Sequence, residues 1–136
     1  MATFNKFNSF VEALAEEVHN LGSDTLTWAL TNSAPLATNT QRSNLTEITY
    51  TNLSSRVATI SSSSQTSGTY RLVLADLVLT ASGGSVGPFR YAVLFNDTAT
   101  NDELIGWYDY GSSITLADGE TFTIDADPTN GVIQIV

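Results

Sequence analysis

The period of the hydrophobic pattern changes once along the chain, and that change constrains the fold more than any other feature. Over residues 4–21, FNKFNSFVEALAEEVHNL, the apolar positions Phe4, Phe7, Val11, Leu14, Val18 and Leu21 are spaced 3, 4, 3, 4 and 3 apart. That spacing predicts a helix with one apolar seam. Thr3 is placed to cap its start and Gly22 to stop its end. From residue 25 the period is two: Leu26, Trp28 and Leu30 alternate with Thr25, Thr27 and Ala29, the pattern of a half-buried strand. Two packings of the helix fit, one against the chain's own sheet and one against copies of itself at a symmetry axis. The seam is shorter than the three to four heptads that argue for a coiled coil by themselves.

Short apolar runs continue to the C-terminus, at 45–50, 56–60, 70–80 with a bulge or bend at Asp76, 89–96, 104–110, 114–116, 121–124 and 132–136. Turn signals separate them. SSSSQTSG at 61–68 reads as a flexible turn, and SGG at 82–84 as another. Asp118-Gly119 predicts a hairpin joining 114–116 to 121–124. Asp127-Pro128-Thr129-Asn130-Gly131 makes a last turn. TNSAPLATNTQRSN, residues 31–44, is polar, is interrupted by Pro35 and reads as a long loop or arm. No periodic helices separate the strands, which excludes a parallel α/β sheet. The expected fold is mainly β and a single domain, 1–136. It has an N-terminal amphipathic helix at 4–21, then an antiparallel β-sandwich of about eight strands over 25–136, immunoglobulin-like or jelly-roll.

Charge narrows the function. Charged residues make up 14% of the chain and the net charge is −9. A typical soluble domain is about 25% charged, so Ser, Thr and Asn must supply much of the polar surface here. Such groups are cheaper to dehydrate than charges, which suits contact surfaces. Net negative charge and the lack of a basic stripe argue against nucleic-acid binding and against docking on an anionic membrane. There is no cysteine, hence no disulfide and no thiolate chemistry. Glu12, Glu16 and Glu17 interrupt the N-terminal apolar pattern, so a cleaved secretory signal is not expected there.

No catalytic constellation emerges. The one histidine, His19, lies near the flank of the predicted helix, and no strand–turn–helix context presents a serine as a nucleophile. The candidate carboxylates Asp97, Asp102, Glu103, Asp109 and Glu120 fall mostly in or beside turns, where Asp is favoured for local backbone bonding. Asp125, Asp127 and Asn130 offer oxygens to calcium, but the spacing departs from an EF-hand loop. The glycines at 83, 84 and 87 precede no helix, so no phosphate cradle forms. No metal and no cofactor is expected. The sequons at Asn44, Asn52 and Asn96 are of the number that chance gives in so Asn-, Ser- and Thr-rich a chain. Trp107, Tyr108 and Asp109 together make a candidate sugar platform.

The segment GPFRYAVLFNDT, residues 87–98, opens on Gly-Pro and closes on Asn-Asp. By period two, Phe89, Tyr91, Val93 and Phe95 share one face, expected to be the core side. Arg90, Ala92 and Leu94 take the other. That face is too apolar to be simply wet, so a cover is expected, either the helix or a neighbouring subunit, with Arg90 paired to a carboxylate.

Four segments carry a resemblance: FNKFNSFVEALAEEVHNLGSDTL, LTNSAP, GPFRYAVLFNDT and LIGWYDYGSSITLADGETFTID. The chain resembles a group of small tailed-bacteriophage virion proteins from residue 4 to the end, most weakly over 50–68. The resemblance implies a non-enzymatic structural protein of the virion. By class, the expected role is head decoration (cement) on the outer capsid surface, after synthesis in the host cytoplasm. The expected partners are itself, as a homotrimer, and the major capsid protein. The expected contact residues are Phe4, Phe7, Val11 and Leu14 of the helix, Pro35 and Leu36 of the arm, and Arg90. The arm would reach onto a neighbour and order on contact. A tail-tube or tail-tip subunit, a carbohydrate-binding adhesin using Trp107, Tyr108 and Asp109, and a glycosidase acting through Asp109 are the alternatives.

Overall fold

A computed structural model describes residues 1–136 and is mainly antiparallel β. Its elements are β1 (Phe4–Lys6), α1 (Phe10–Ala15), β2 (Leu26–Thr31), β3 (Ile60–Thr66), β4 (Thr69–Leu74), β5 (Leu77–Thr80), β6 (Val86–Asn96), β7 (Leu104–Leu116), β8 (Thr121–Ile124) and β9 (Ile133–Ile135), with one turn of 3-10 helix at Arg42–Asn44. A four-stranded sheet runs β1-β7-β6-β2, and two smaller sheets run β3-β4-β9 and β5-β8. One face of the large sheet (Leu26, Trp28, Leu30, Ala92, Leu94, Tyr108) packs against Leu72, Leu74, Leu79, Ile124 and Ile133 of the small sheets in a core of 21 buried residues.

The N-terminal helix is far shorter than its pattern predicts. Residues 4–6 instead form an edge strand, with Phe4 opposite Tyr108 and Lys6 opposite Gly106. Asn5, Asn8 and Ser9 are poor helix formers, and the sheet edge offers their backbone an alternative. The apolar seam is then split. Phe4 packs on Trp28 and Tyr108, whereas Phe7 turns to the opposite face of the sheet. Nor does Gly22 end the helix. Glu17 adopts φ 65°, and the Val18 N–H donates to the Ala13 carbonyl at 2.9 Å, a Schellman-type closure five residues earlier.

The serine tract also differs from its reading. Residues 60–66 are a strand paired with β4, and the turn shrinks to Ser67-Gly68, both at positive φ (51° and 82°). That is the two-residue geometry whose twist matches antiparallel strands. The expected strands at 45–50 and 56–60 are irregular, tied by single bridges such as Thr31 to Glu47 and Thr27 to Val57. The expected hairpin at Asp118-Gly119 does not join partners: β7 pairs with β6, and β8 pairs with β5. The turn carries the chain from one sheet to another. A second crossing follows β4, where the Asp76 carboxylate accepts from the Ala126 N–H at 2.9 Å.

The polar arm is not a free extension. It folds back across the outer face of the large sheet, where Leu45 packs on a second small core of Phe7, Ala29, Val93, Phe95 and Leu104. Backbone bonds from Asn8 to Ala37 and from Leu104 to Thr40 hold it there. A side-chain chain reinforces it. The Leu30 N–H donates to the Tyr50 hydroxyl at 2.9 Å, that hydroxyl donates to Glu47, and Glu47 pairs with Arg42 at 2.9 Å. Burial, with the bond to Glu47 second, pushes the Tyr50 phenol well above its ordinary value.

This cover corrects the reading of residues 87–98. Register shifts between Val86 and Tyr91 break the alternation. Phe89, Ala92 and Leu94 enter the main core, whereas Val93 and Phe95 face the arm. The face of Ala92 and Leu94 is covered, not by the predicted long helix but chiefly by the small sheets of the same chain, and Arg90 stays part-exposed beside it.

Candidate functional site

Two depressions meet where α1 and the segment after it cross the end of the β3-β4-β9 sheet. The first, about 570 Å³, is lined by Leu14, Glu17, His19, Asn20, Leu21, Gly22, Ser63, Tyr70 and Ile135. The second, about 470 Å³, is a more apolar groove between β1 and β9, floored by Phe4, Phe10, Val11 and Leu14 and walled by Val132–Val136, with Lys6 at its rim. Leu14 and Ile135 line both. Val11 is 52% exposed and Ile135 43%, so apolar surface lies open along the shared wall. The early stop at Glu17 creates this shape. A helix continuing to residue 21 would not leave the segment 16–22 free to turn over the sheet end.

His19 is 4% exposed and stacks on Phe10, ring centres 5.4 Å apart. The Asn96 side-chain NH2 donates to its Nδ1 at 3.0 Å and to Asp24 at 2.7 Å, while the Asn96 side-chain Oδ1 accepts from the Thr98 and Ala99 N–H groups. Nδ1 is therefore the acceptor, and the proton sits on Nε2, which is buried without a partner. Burial pushes the His19 pKa down, against smaller upward pulls from Glu103 and Asp24. No hydroxyl bonds the ring, and Ser63 Oγ is engaged with Tyr70 Oη at 2.8 Å. This arrangement locks the loop onto β6. It does not activate a nucleophile.

Of the residues expected to meet a partner, Phe4, Val11 and Leu14 converge on the groove. Phe7 is fully buried under the arm. Leu36 is 62% exposed on the arm, beside buried Pro35, far in sequence from the groove and in a separate shallow depression. Arg90 is held bidentately by Asp109, Nε to Oδ1 at 2.8 Å and Nη2 to Oδ2 at 3.0 Å. That pair raises the Arg90 pKa and lowers that of Asp109, which also accepts from the Gly111 N–H.

The sugar platform is not assembled. Adjacent strand positions point to opposite faces, so Trp107 packs on Phe7 at 4.6 Å while Tyr108 stacks on Trp28 in the main core at 5.7 Å. Burial pushes the Tyr108 phenol up to about 12. The other carboxylates close local structure. Asp97 accepts from the Thr27 hydroxyl, Glu103 from Asn101, Glu120 from the Ala117 N–H, and Asp102 lies 3.6 Å from Arg42. Asp127 accepts from the Thr129 and Asn130 N–H groups and from the Asn130 amide, which lowers its pKa. Asn130 thus presents nitrogen, not oxygen, toward Asp127. No group of three or more His, Cys, Asp or Glu side chains is placed to hold a metal ion.

The groove along β9 was not legible in the sequence as a site. Its walls come from both ends of the chain, and only the alternation in 132–136 hinted at an exposed apolar edge. No helix is long and apolar enough to cross a membrane. Comparison with protein-family models, with curated proteins and with solved structures finds no match to this chain.

Proposed function

We propose that this chain is a non-enzymatic virion structural protein that decorates a bacteriophage capsid from its outer surface and stabilises the shell by bridging coat subunits. The observation that carries the reading is the open apolar wall of Val11, Leu14 and Ile135 between β1 and β9. Contiguous exposed apolar surface bounded by polar residues marks a place of contact. The surrounding Ser-, Thr- and Asn-rich surface dehydrates at low cost. The antiparallel architecture suits the immunoglobulin-like or jelly-roll sandwich expected of such a protein. Many copies of one weak contact then strengthen a shell by multivalency. In this reading the protein is a homotrimer, and its second partner is the major capsid protein.

The test is binding of purified protein to empty capsids of the particle it comes from, with the capsid melting temperature as readout. Saturable binding with a rise in melting temperature is expected. Failure to bind at micromolar concentration removes the reading. Light scattering gives the second check: a mass of three chains fits decoration, and hexameric rings or open polymers turn the assignment to a tail tube.

A further inference from the structure

We infer that the β9 groove takes an extended segment of the partner protein in which apolar and acidic residues alternate, added as a strand along the free edge of β9. This deepens the decoration reading and rests on it for the partner's identity.

Three observations converge. First, β9 is hydrogen-bonded to β4 on one side and has no strand on the other. Such an edge is a template for a further strand. Second, the groove beside that edge is apolar, with Val11 and Ile135 open to it. Third, one of the two unengaged cations lines it and the other stands across β9 from it. The chain has five Lys and Arg residues against 14 Asp and Glu. Three of the five are engaged internally: Arg42 on Glu47, Arg90 on Asp109, and Arg56 on the Trp28 carbonyl at 2.6 Å and the Tyr50 ring at 3.5 Å. Lys6 and Arg71 are the two left with no side-chain hydrogen bond, ion pair or ring contact. Lys6 lines the groove, and Arg71 sits directly opposite Gln134 of β9, its Nε buried without an acceptor.

An extended strand places alternate side chains on opposite faces. One set enters the groove between Val11 and Ile135. The other set faces outward from the sheet, on the side where Arg71 stands, while Lys6 meets an acid at the groove rim. Charge-assisted bonds to these two cations fix register, and the backbone ladder supplies affinity. A second copy of this chain is not the occupant. Its alternating acidic–apolar stretch, Ile124-Asp125-Ala126-Asp127, has Ile124 and Ala126 buried in the core, residues 31–41 contain no acid, and Glu47, the sole acid of 45–59, is held by Arg42 and Tyr50.

The test uses the full chain and two synthetic seven-residue peptides, one alternating Val with Glu and one alternating Val with Lys, titrated by fluorescence anisotropy with NMR shift mapping. The Val/Glu peptide is expected to bind and to move the resonances of residues 132–136, and the Val/Lys peptide is not. In the double variant Lys6→Glu with Arg71→Glu, Val/Glu affinity is expected to fall about tenfold or more, the scale of a lost charge contact. Lys6→Gln with Arg71→Gln keeps the test alive should the reversal unfold the sheet. Equal binding of both peptides, no binding of Val/Glu, or affinity unchanged in the variants overturns the inference. Capsid binding that survives the variants overturns it while leaving the decorating role intact. Capsid binding that fails in the native chain, with peptide selectivity present, removes the decorating role alone.

Discussion

Gly106 has no room for a methyl group. A Cβ there would sit 2.4 Å from the Phe4 ring and 2.6 Å from the Asn5 carbonyl oxygen. The ring of an edge strand lies in the slot that a missing side chain leaves, so one glycine decides that residues 4–6 join the sheet. Gly106→Ala is expected to expel Phe4 and to cost about 1–3 kcal/mol, as overpacking does, read from the urea midpoint. His19 sets a second expectation. Burial holds its folded pKa below the ordinary 6.5, so the unfolded chain takes up the proton more readily than the folded one. The stability that follows is full above pH 6.5 and is lost as pH falls through that value toward the folded pKa. His19→Gln should flatten the dependence of the midpoint between about pH 7 and pH 5. A separate decline belongs below about pH 4, where Asp109 and Asp127, both held below the usual carboxylate range, take up protons.

Elements show where local pattern yields to tertiary demand. The seam at 4–21 has a helical period, yet its aromatic residues serve two faces of one sheet, and period alone cannot tell these apart. The stop at Glu17 left no sequence signal because glutamate is a poor choice for that conformation. Glu17→Gly removes the Cβ penalty at φ 65° and is expected to stabilise the chain by about 1 kcal/mol, seen as a higher urea midpoint with unchanged slope. The serine tract was obscure for the opposite reason. Its residues carry little apolar signal, and only the Ser67-Gly68 pair marks the hairpin. By contrast, the strand at 26–30 and the break at Asp76 were legible, because alternation and a sheet crossing each leave a local trace, although β2 is buried on both faces and not half-buried. The Asp118-Gly119 turn was legible as a turn, but the partner of the strand after it depends on distant residues.

For the whole molecule, composition and period were enough to give mainly antiparallel β structure with one helix near the N-terminus. Which parts cover one another was not. The arm was read as a surface that waits for a neighbour, and it lies on its own sheet. Leu45 and the 3-10 turn bring it there, helped by a cation over the Phe95 ring, Arg42 at 4.5 Å. The candidate site was half legible: Phe4, Val11 and Leu14 were named for their apolarity, and β9 was missed as their opposite wall. One consequence of the arm concerns time. With the small sheets below and the arm above, Ala92–Phe95 at the centre of β6 are shut off from water on both faces, at 0% exposure. Their amide protons can meet solvent only when a whole layer lifts away. Deuterium uptake at these four residues should be the slowest in the chain and set by global opening, whereas β3, a serine strand at a sheet margin, should exchange through local fraying.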